Sequence, residues 1–157
     1  MALRRRKDDE WDGTERRRPA TVVVVNDDVD ACELLVRFLG HAGFLTVGAH
    51  STDAATATIH ERLPRAVVLD MTSGGIGASL RVLDLIRSHE DRRISTARVV
   101  LCGSSRRNRA FSFQSGADGF VVRPFHLQDL VDELNRALAR PQEALARHRR
   151  DELARSS

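Results

Sequence analysis

Residues 21–28 read TVVVVNDD, a β-branched run stopped by an amide and two acids. A strand with one wet face alternates apolar and polar residues. An unbroken valine run instead puts apolar side chains on both faces, as a strand buried inside a parallel sheet requires. The first strand is therefore expected to end at Asn26. The same signature returns as AVVLD at 66–70, ARVVLCG at 97–103 and GFVV at 119–122, and more weakly as LTVGA at 45–49.

Between these runs the period changes from two to 3.6. Ala31, Leu34, Leu35, Phe38 and Leu39 recur at i, i+3, i+4, i+7 and i+8, one face of a helix closed near Gly40 and Gly43. Ser51 or Thr52 opens a second helix carrying Ala54, Ala57 and Ile59, closed before Pro64. A glycine-rich loop, TSGGIGA, leads to a third with Leu80, Leu83 and Ile86 inward, and RNRAFSFQSG forms a short fourth. In the fifth, Leu127, Leu130, Val131, Leu134 and Leu138 share one face before Pro141. Five strands alternating with five helices predict an α/β fold, a doubly wound parallel sheet with right-handed crossovers and helices on both faces.

The chain has 157 residues, 41% hydrophobic and 30% charged, which suits one domain with tails and excludes large multi-domain enzymes. No apolar run approaches the roughly 20 residues of a membrane helix, and no apolar stretch follows the basic start, so a cytoplasmic location is expected. The net charge of +3 sits in the ends. Residues 1–20, with their RRRK and ERRR blocks around Trp11, read as a disordered charged arm, and 140–157 as a basic tail. The core between them is near neutral, so it offers no basic nucleic-acid surface, and the arms read as solvated segments rather than nucleic-acid contacts. Cys32 and Cys102 lie inside apolar patterns and read as reduced, buried thiols. The six histidines show no paired ligand spacing, and no transition-metal site is expected.

Ligands of such sheets sit beyond the carboxyl ends of the strands, so the residues just after each strand are expected to carry the chemistry. They bring Asn26, Asp27 and Asp28, then Asp70, then Gly103, Ser104 and Ser105, then Arg123 and Pro124. Crowded carboxylates persist where a hard cation neutralises them; Mg²⁺ needs only one or two plus a carbonyl, which leaves a face open to a phosphoryl oxygen that Arg123 would grip. SGGIG has the wrong spacing and place for a dinucleotide loop, and a phosphatase with an aspartyl nucleophile would need an acid where Thr72 stands.

VVVVNDD, AVVLDMT, VVLCGSS and GADGFVVRPF together resemble the signature segments of the receiver domain of two-component response regulators, over residues 21 to about 139. The resemblance implies a flavodoxin-like sheet of order 2-1-3-4-5. It implies Asp70 as phospho-acceptor from a histidine kinase or phosphotransfer protein, and Mg²⁺ held by Asp27, Asp70, the Thr72 backbone carbonyl and, in one version, Asn26. Arg123 would bind phosphate; Ser104 or Gly103 with Phe120 would form the switch; the Arg123–Pro124 bond would be cis. Partners, including a downstream protein and in one arrangement a second copy, would dock on the fourth helix, fifth strand and fifth helix through Phe111, Phe113 and Phe120. Phe111 and Phe113, two apart on a helix, cannot both face the core.

The chain departs from the family pattern at Asn26 for an acid, Gly103 for a hydroxyl residue, Arg123 for lysine, Phe120 for a frequent tyrosine and Gly74 for proline. Two readings follow. One is a stand-alone response regulator phosphorylated on Asp70, a switch rather than an enzyme beyond its own phosphorylation and dephosphorylation. The other is a phosphorylation-independent pseudo-receiver acting as an interaction or transcription-regulatory module.

Overall fold

The structure, a computed structural model, describes residues 19–73 and 75–156. Five strands, β1 (Thr21–Val25), β2 (Leu45–Ala49), β3 (Ala66–Leu69), β4 (Arg98–Gly103) and β5 (Gly119–Val122), form an all-parallel sheet of order β2-β1-β3-β4-β5. Crossover helices α1 (Val29–His41), α2 (Thr52–Arg62), α3 (Gly77–Arg87), α4 (Arg106–Gln114) and α5 (Leu127–Ala139) alternate with them. The doubly wound architecture expected from the valine runs is the one observed.

Alternation of side chains along each strand divides the core in two. Val23, Val25, Val67, Leu69, Val99, Leu101 and Phe120 point to the face covered by α2, α3 and α4. Val22, Val24, Val68, Val100, Cys102 and Val121 point to the face covered by α1 and α5. The four consecutive valines from Val22 are all fully buried, which is why the run has no polar member. Helix starts follow local chemistry: the Asp28, Ser51 and Ser105 side chains accept from the N–H groups of Ala31, Ala54 and Asn108. Both cysteines are free and buried, as expected.

Some helix faces are rotated from the expected ones. In α1 the buried stripe is Cys32, Leu35 and Leu39, while Leu34 is exposed. In α2 the inward residues are Ala55 and Ile59, with Ala54 and Ala57 outside. In both helices a small residue one step further along, Cys32 or Ala55, is fully buried.

Two elements lie outside the expected alternation. A single helical turn, Arg92–Ser95, precedes β4, capped by Asp91. Of residues 140–157, expected as a basic tail, the described 142–156 instead form a 3₁₀ turn (Gln142–Ala144) and a helix, α6 (Leu145–Ser156), packed against α4. The charged arm expected at residues 1–20 lies, but for its last two residues, outside the described part. Among the described residues no helix is long and apolar enough to cross a membrane.

A fully buried acid, Asp118, ties the amino-terminal side of this architecture together. Its carboxylate accepts from the Val99 N–H at 2.8 Å, Arg87 at 2.7 Å and Arg149 of α6 at 2.8 Å. Arg87 also donates to the carbonyls of Gly116, Ser95 and Ala97, so one guanidinium joins α3, the helical turn and the approach to β5. Removing one partner of a buried pair strands the other charge. Asp118→Ala is expected to lower unfolding stability by about 3 kcal/mol, whereas Arg149→Ala, which leaves Asp118 with Arg87, should lower it by less than about 1 kcal/mol. Urea unfolding midpoints at unchanged slope measure both.

Candidate functional site at the carboxyl edge of the sheet

Parallel register sets the site. Val25 pairs with Leu69, Leu69 with Leu101 and Gly103 with Val122, so the residues that follow each strand emerge at one edge. The edge is stitched by backbone bonds, Asp70 N–H to the Val25 carbonyl at 2.8 Å and Arg123 N–H to the Gly103 carbonyl at 2.7 Å.

Asp70 is only 6% exposed, and both carboxylate oxygens are engaged. Oδ1 accepts from Arg123 Nε at 2.7 Å and Oδ2 from Asn26 Nδ2 at 3.1 Å. Arg123 Nη2 donates to the carbonyls of Cys102 at 3.1 Å and Met71 at 3.3 Å, which holds the guanidinium against the edge. Burial raises the Asp70 pKa above the ordinary carboxylate value; Arg123 and Asn26 oppose that rise, and the nearby Asp27 charge adds to it.

Asp27 has different company. Its Oδ1 accepts from the Thr72 N–H at 2.7 Å and hydroxyl at 2.9 Å, and its Oδ2 from the Ser73 N–H at 2.8 Å. What burial would raise, these hydrogen bonds to Ser73 and Thr72 more than reverse, and the Asp27 pKa lies well below the usual carboxylate range. Asn26 directs its Oδ1 to the Asp28 N–H at 2.8 Å, so its amide nitrogen, not its oxygen, faces Asp70.

The oxygen set still has the hardness Mg²⁺ requires, with two carboxylates and the Thr72 carbonyl as the donors that would hold it. Where many such sites carry a third acid, Asn26 supplies a neutral donor to Asp70. Asp27, Asp70 and the Thr72 carbonyl are the oxygens that would hold such a cation, one negative charge poorer than a site with both leading acids, while the Asp27 and Asp70 oxygens here accept from Thr72, Ser73, Arg123 and Asn26.

The expected switch residues separate. Ser104 is exposed, and its hydroxyl accepts from Asn108 Nδ2 of α4 at 3.4 Å. Gly103 is buried beneath the Phe120 ring: a Cβ there would lie 2.8 Å from Phe120 Cζ and 2.9 Å from Asn108 Cβ. The glycine thus makes room for a ring turned inward, and no hydroxyl occupies that position. Of the phenylalanines expected on a partner face, Phe111 is 39% exposed under the Arg107 guanidinium, while Phe113 and Phe120 are buried at 3% and 8%. One of the Phe111/Phe113 pair faces out, as helical spacing demands. The Arg123–Pro124 bond is cis, as expected, and Gly74 lies outside the described residues.

Sequence reasoning missed the Asn26 amide as a donor to Asp70, the Met71 and Cys102 carbonyls that seat Arg123, and the Ser79 hydroxyl that accepts from the Met71 N–H at 3.3 Å. Only the buried polar Ser79 in an otherwise apolar helix face carried a signal.

The model of the response regulator receiver domain matches residues 22–135. The chain belongs to that family. PrrA of Mycobacterium tuberculosis, a transcriptional regulatory protein, is 32% identical over 123 residues, covering 76% of this chain and 50% of PrrA. PhoB of Escherichia coli, the phosphate regulon transcriptional regulatory protein, is 28% identical over 120 residues, covering 76% and 52%. The chain thus spans about half the length of the curated relatives it matches. Among solved structures, the receiver domain of NtrX from Brucella abortus superposes with a TM-score of 0.67 at 29% identity, covering 76% of this chain and 99% of that one. Chemotaxis response regulator CheY4 of Vibrio cholerae, at 17% identity and a TM-score of 0.65, shares the fold over 76% of this chain and 98% of its own.

Two outcomes follow for this receiver. Asp27→Ala removes three hydrogen bonds from the loop after β3, and amide exchange at Thr72 and Ser73 should rise with a stability loss of about 1–2 kcal/mol. Because the Asp27 pKa is depressed on folding, its contribution is present above the unfolded carboxylate pKa of about 4 and is lost as pH falls through the folded value. Thermal scans from neutral to strongly acidic pH should therefore show the difference between wild type and Asp27→Ala shrinking with acid. Gly103→Ala should displace Phe120 and lower stability by about 1–3 kcal/mol, read by denaturation and by the Phe120 ring resonances.

Proposed function

We propose that this receiver accepts a phosphoryl group on Asp70 from a phosphohistidine of a histidine kinase or phosphotransfer protein, and signals by protein–protein contact. The observation that carries the reading is the Asp70 carboxylate at the end of β3, held by Arg123 at 2.7 Å beside Asp27. In the reaction a carboxylate oxygen of Asp70 attacks phosphorus, the P–N bond breaks, an acyl phosphate forms, and the leaving imidazole takes up a proton. Bound Mg²⁺ would neutralise charge on the transferring phosphoryl oxygens. Arg123, anchored through Nη2 on two carbonyls, orients the attacking carboxylate and supplies positive charge beside the phosphoryl group. Asn26 holds the second carboxylate oxygen in place.

A second reading, a phosphorylation-independent interaction module, draws on a different observation: Phe120 already lies inward over Gly103, a position without a hydroxyl, and the neighbouring Ser104 hydroxyl accepts from Asn108. Incubation with Mg²⁺ and a small phosphodonor, followed by intact mass, separates the two. A phosphoryl mass gain that Asp70→Asn abolishes is expected; no gain in the wild type selects the second reading. Asn26→Asp should raise Mg²⁺ affinity by on the order of tenfold, the effect of about 1.4 kcal/mol of added Coulombic attraction, measured by titration with the metal.

A further inference from the structure

The amino-terminal edge of the sheet holds an open cavity of about 350 Å³ between the starts of β3 and β4, the Arg92–Ser95 turn and the end of α5. Arg65 directly precedes β3 and Asp70 directly follows it, so cavity and acceptor lie at opposite ends of one strand, about 16 Å apart. One wall is apolar, with Leu63, Pro64 and Leu138, and the other carries Arg65, Arg93 and Arg98. Among the described residues no acid lines it. An apolar wall beside a few placed donors, at this volume, is the usual make-up of a small-molecule site.

The three guanidiniums are differently held. Arg98 Nε donates to the Ala137 carbonyl at 3.1 Å, Nη1 to the Thr96 carbonyl and Gln142 Oε1, each at 3.0 Å, and Nη2 to the Arg140 carbonyl at 3.0 Å. These bonds fix the group, cover carbonyls at the end of α5 whose partial negative charge would repel an anion, and leave one Nη2 hydrogen unspent. Arg93 donates through Nε at 3.1 Å and Nη2 at 2.8 Å to the Asp91 carboxylate, which leaves its Nη1. Among the described residues nothing pairs with the exposed Arg65 guanidinium, and no carboxylate forms an ion pair with Arg98.

The charge at this edge is accordingly unbalanced. Burial pushes the Arg98 pKa below the ordinary guanidinium value; Asp118 opposes the fall, while Arg65, Arg149 and Arg140 add to it. Like charges gathered this way repel, and a bound anion relieves the repulsion.

We propose that this cavity binds a small phosphomonoester, its phosphate on Arg65, Arg93 and Arg98 and its apolar body against Leu63, Pro64 and Leu138. Guanidinium forks match phosphate oxygens, and the free Arg65 fork with the hydrogens left on Arg93 and Arg98 supplies the donors. A phosphomonoester suits three cations better than a carboxylate does, because it carries close to two negative charges and three acceptor oxygens. The inference does not depend on phosphorylation of Asp70.

The test titrates the full chain, free of divalent cations, with phenyl phosphate and follows backbone amide shifts by NMR. Saturable shifts are expected at Arg65, Ala97, Arg98 and Leu138, with residues 70–73 unmoved. Inorganic phosphate, which lacks the apolar body, should bind at least about threefold more weakly, and benzyl alcohol, which lacks the charge, should not saturate. Arg65→Ala should weaken phenyl phosphate at least about tenfold, and Arg65→Lys by less. The proposal is overturned by the absence of saturable shifts at these residues up to about 10 mM, by shifts confined to the Asp70 edge, or by unchanged affinity in Arg65→Ala. Inorganic phosphate binding as tightly as phenyl phosphate, or benzyl alcohol saturating alike, overturns it too. If Arg65→Ala loses native dispersion, Arg93→Ala on the exposed turn takes its place, and unchanged affinity there overturns the proposal.

Discussion

In-register parallel pairing of β1, β3, β4 and β5 is the constraint from which the rest of this molecule follows. A one-residue shift would exchange the two faces of each strand and carry the polar residues that end them, Asn26, Asp70 and Arg123, out of line. With the register held, positions 26, 70, 103 and 123, distant in sequence, leave the sheet at one edge. The helices need only cover the two faces, which they do with short apolar stripes and side-chain caps.

At that edge, charge is balanced by protein groups. Asp70 has a guanidinium on one oxygen and an amide on the other, and Asp27 is solvated by the backbone of the loop it anchors. The two carboxylates consequently diverge in acidity, Asp70 upward by burial and Asp27 downward by hydrogen bonding. The substitutions of Asn26 and Arg123 for the residues usual in the family act together, since each supplies a donor to the same side chain.

The opposite balance governs the side of the molecule away from β2. Asp118 gathers two arginines in the core, and Arg109 bridges α4 and α6 at the surface. One set of ion pairs belongs to the framework, because it satisfies buried backbone carbonyls as well. The other joins α4 to α6.

The alternation of strands and helices, the two-sided burial of the valine runs and the convergence of Asp27, Asp70 and Arg123 were legible in the residues, because period and β-branching report burial directly and topology then brings strand ends together. Asn26 could be identified as a departure, yet which of its amide atoms meets Asp70 depends on the Asp28 N–H that claims the other. The facing of α1 and α2 was one step off, since Leu34 and Ala54 match a helical period as well as their neighbours Leu35 and Ala55 do, and only packing against the sheet chooses between them. The basic carboxyl-terminal stretch has no apolar period, so nothing local marks it as helix α6. Sequence by itself determined the doubly wound sheet and the chemistry at its edge, which rest on local pattern. Tertiary structure alone decided that Phe120 lies over Gly103 and that α6 covers Phe113, because both depend on contacts between segments whose pairing no local pattern encodes.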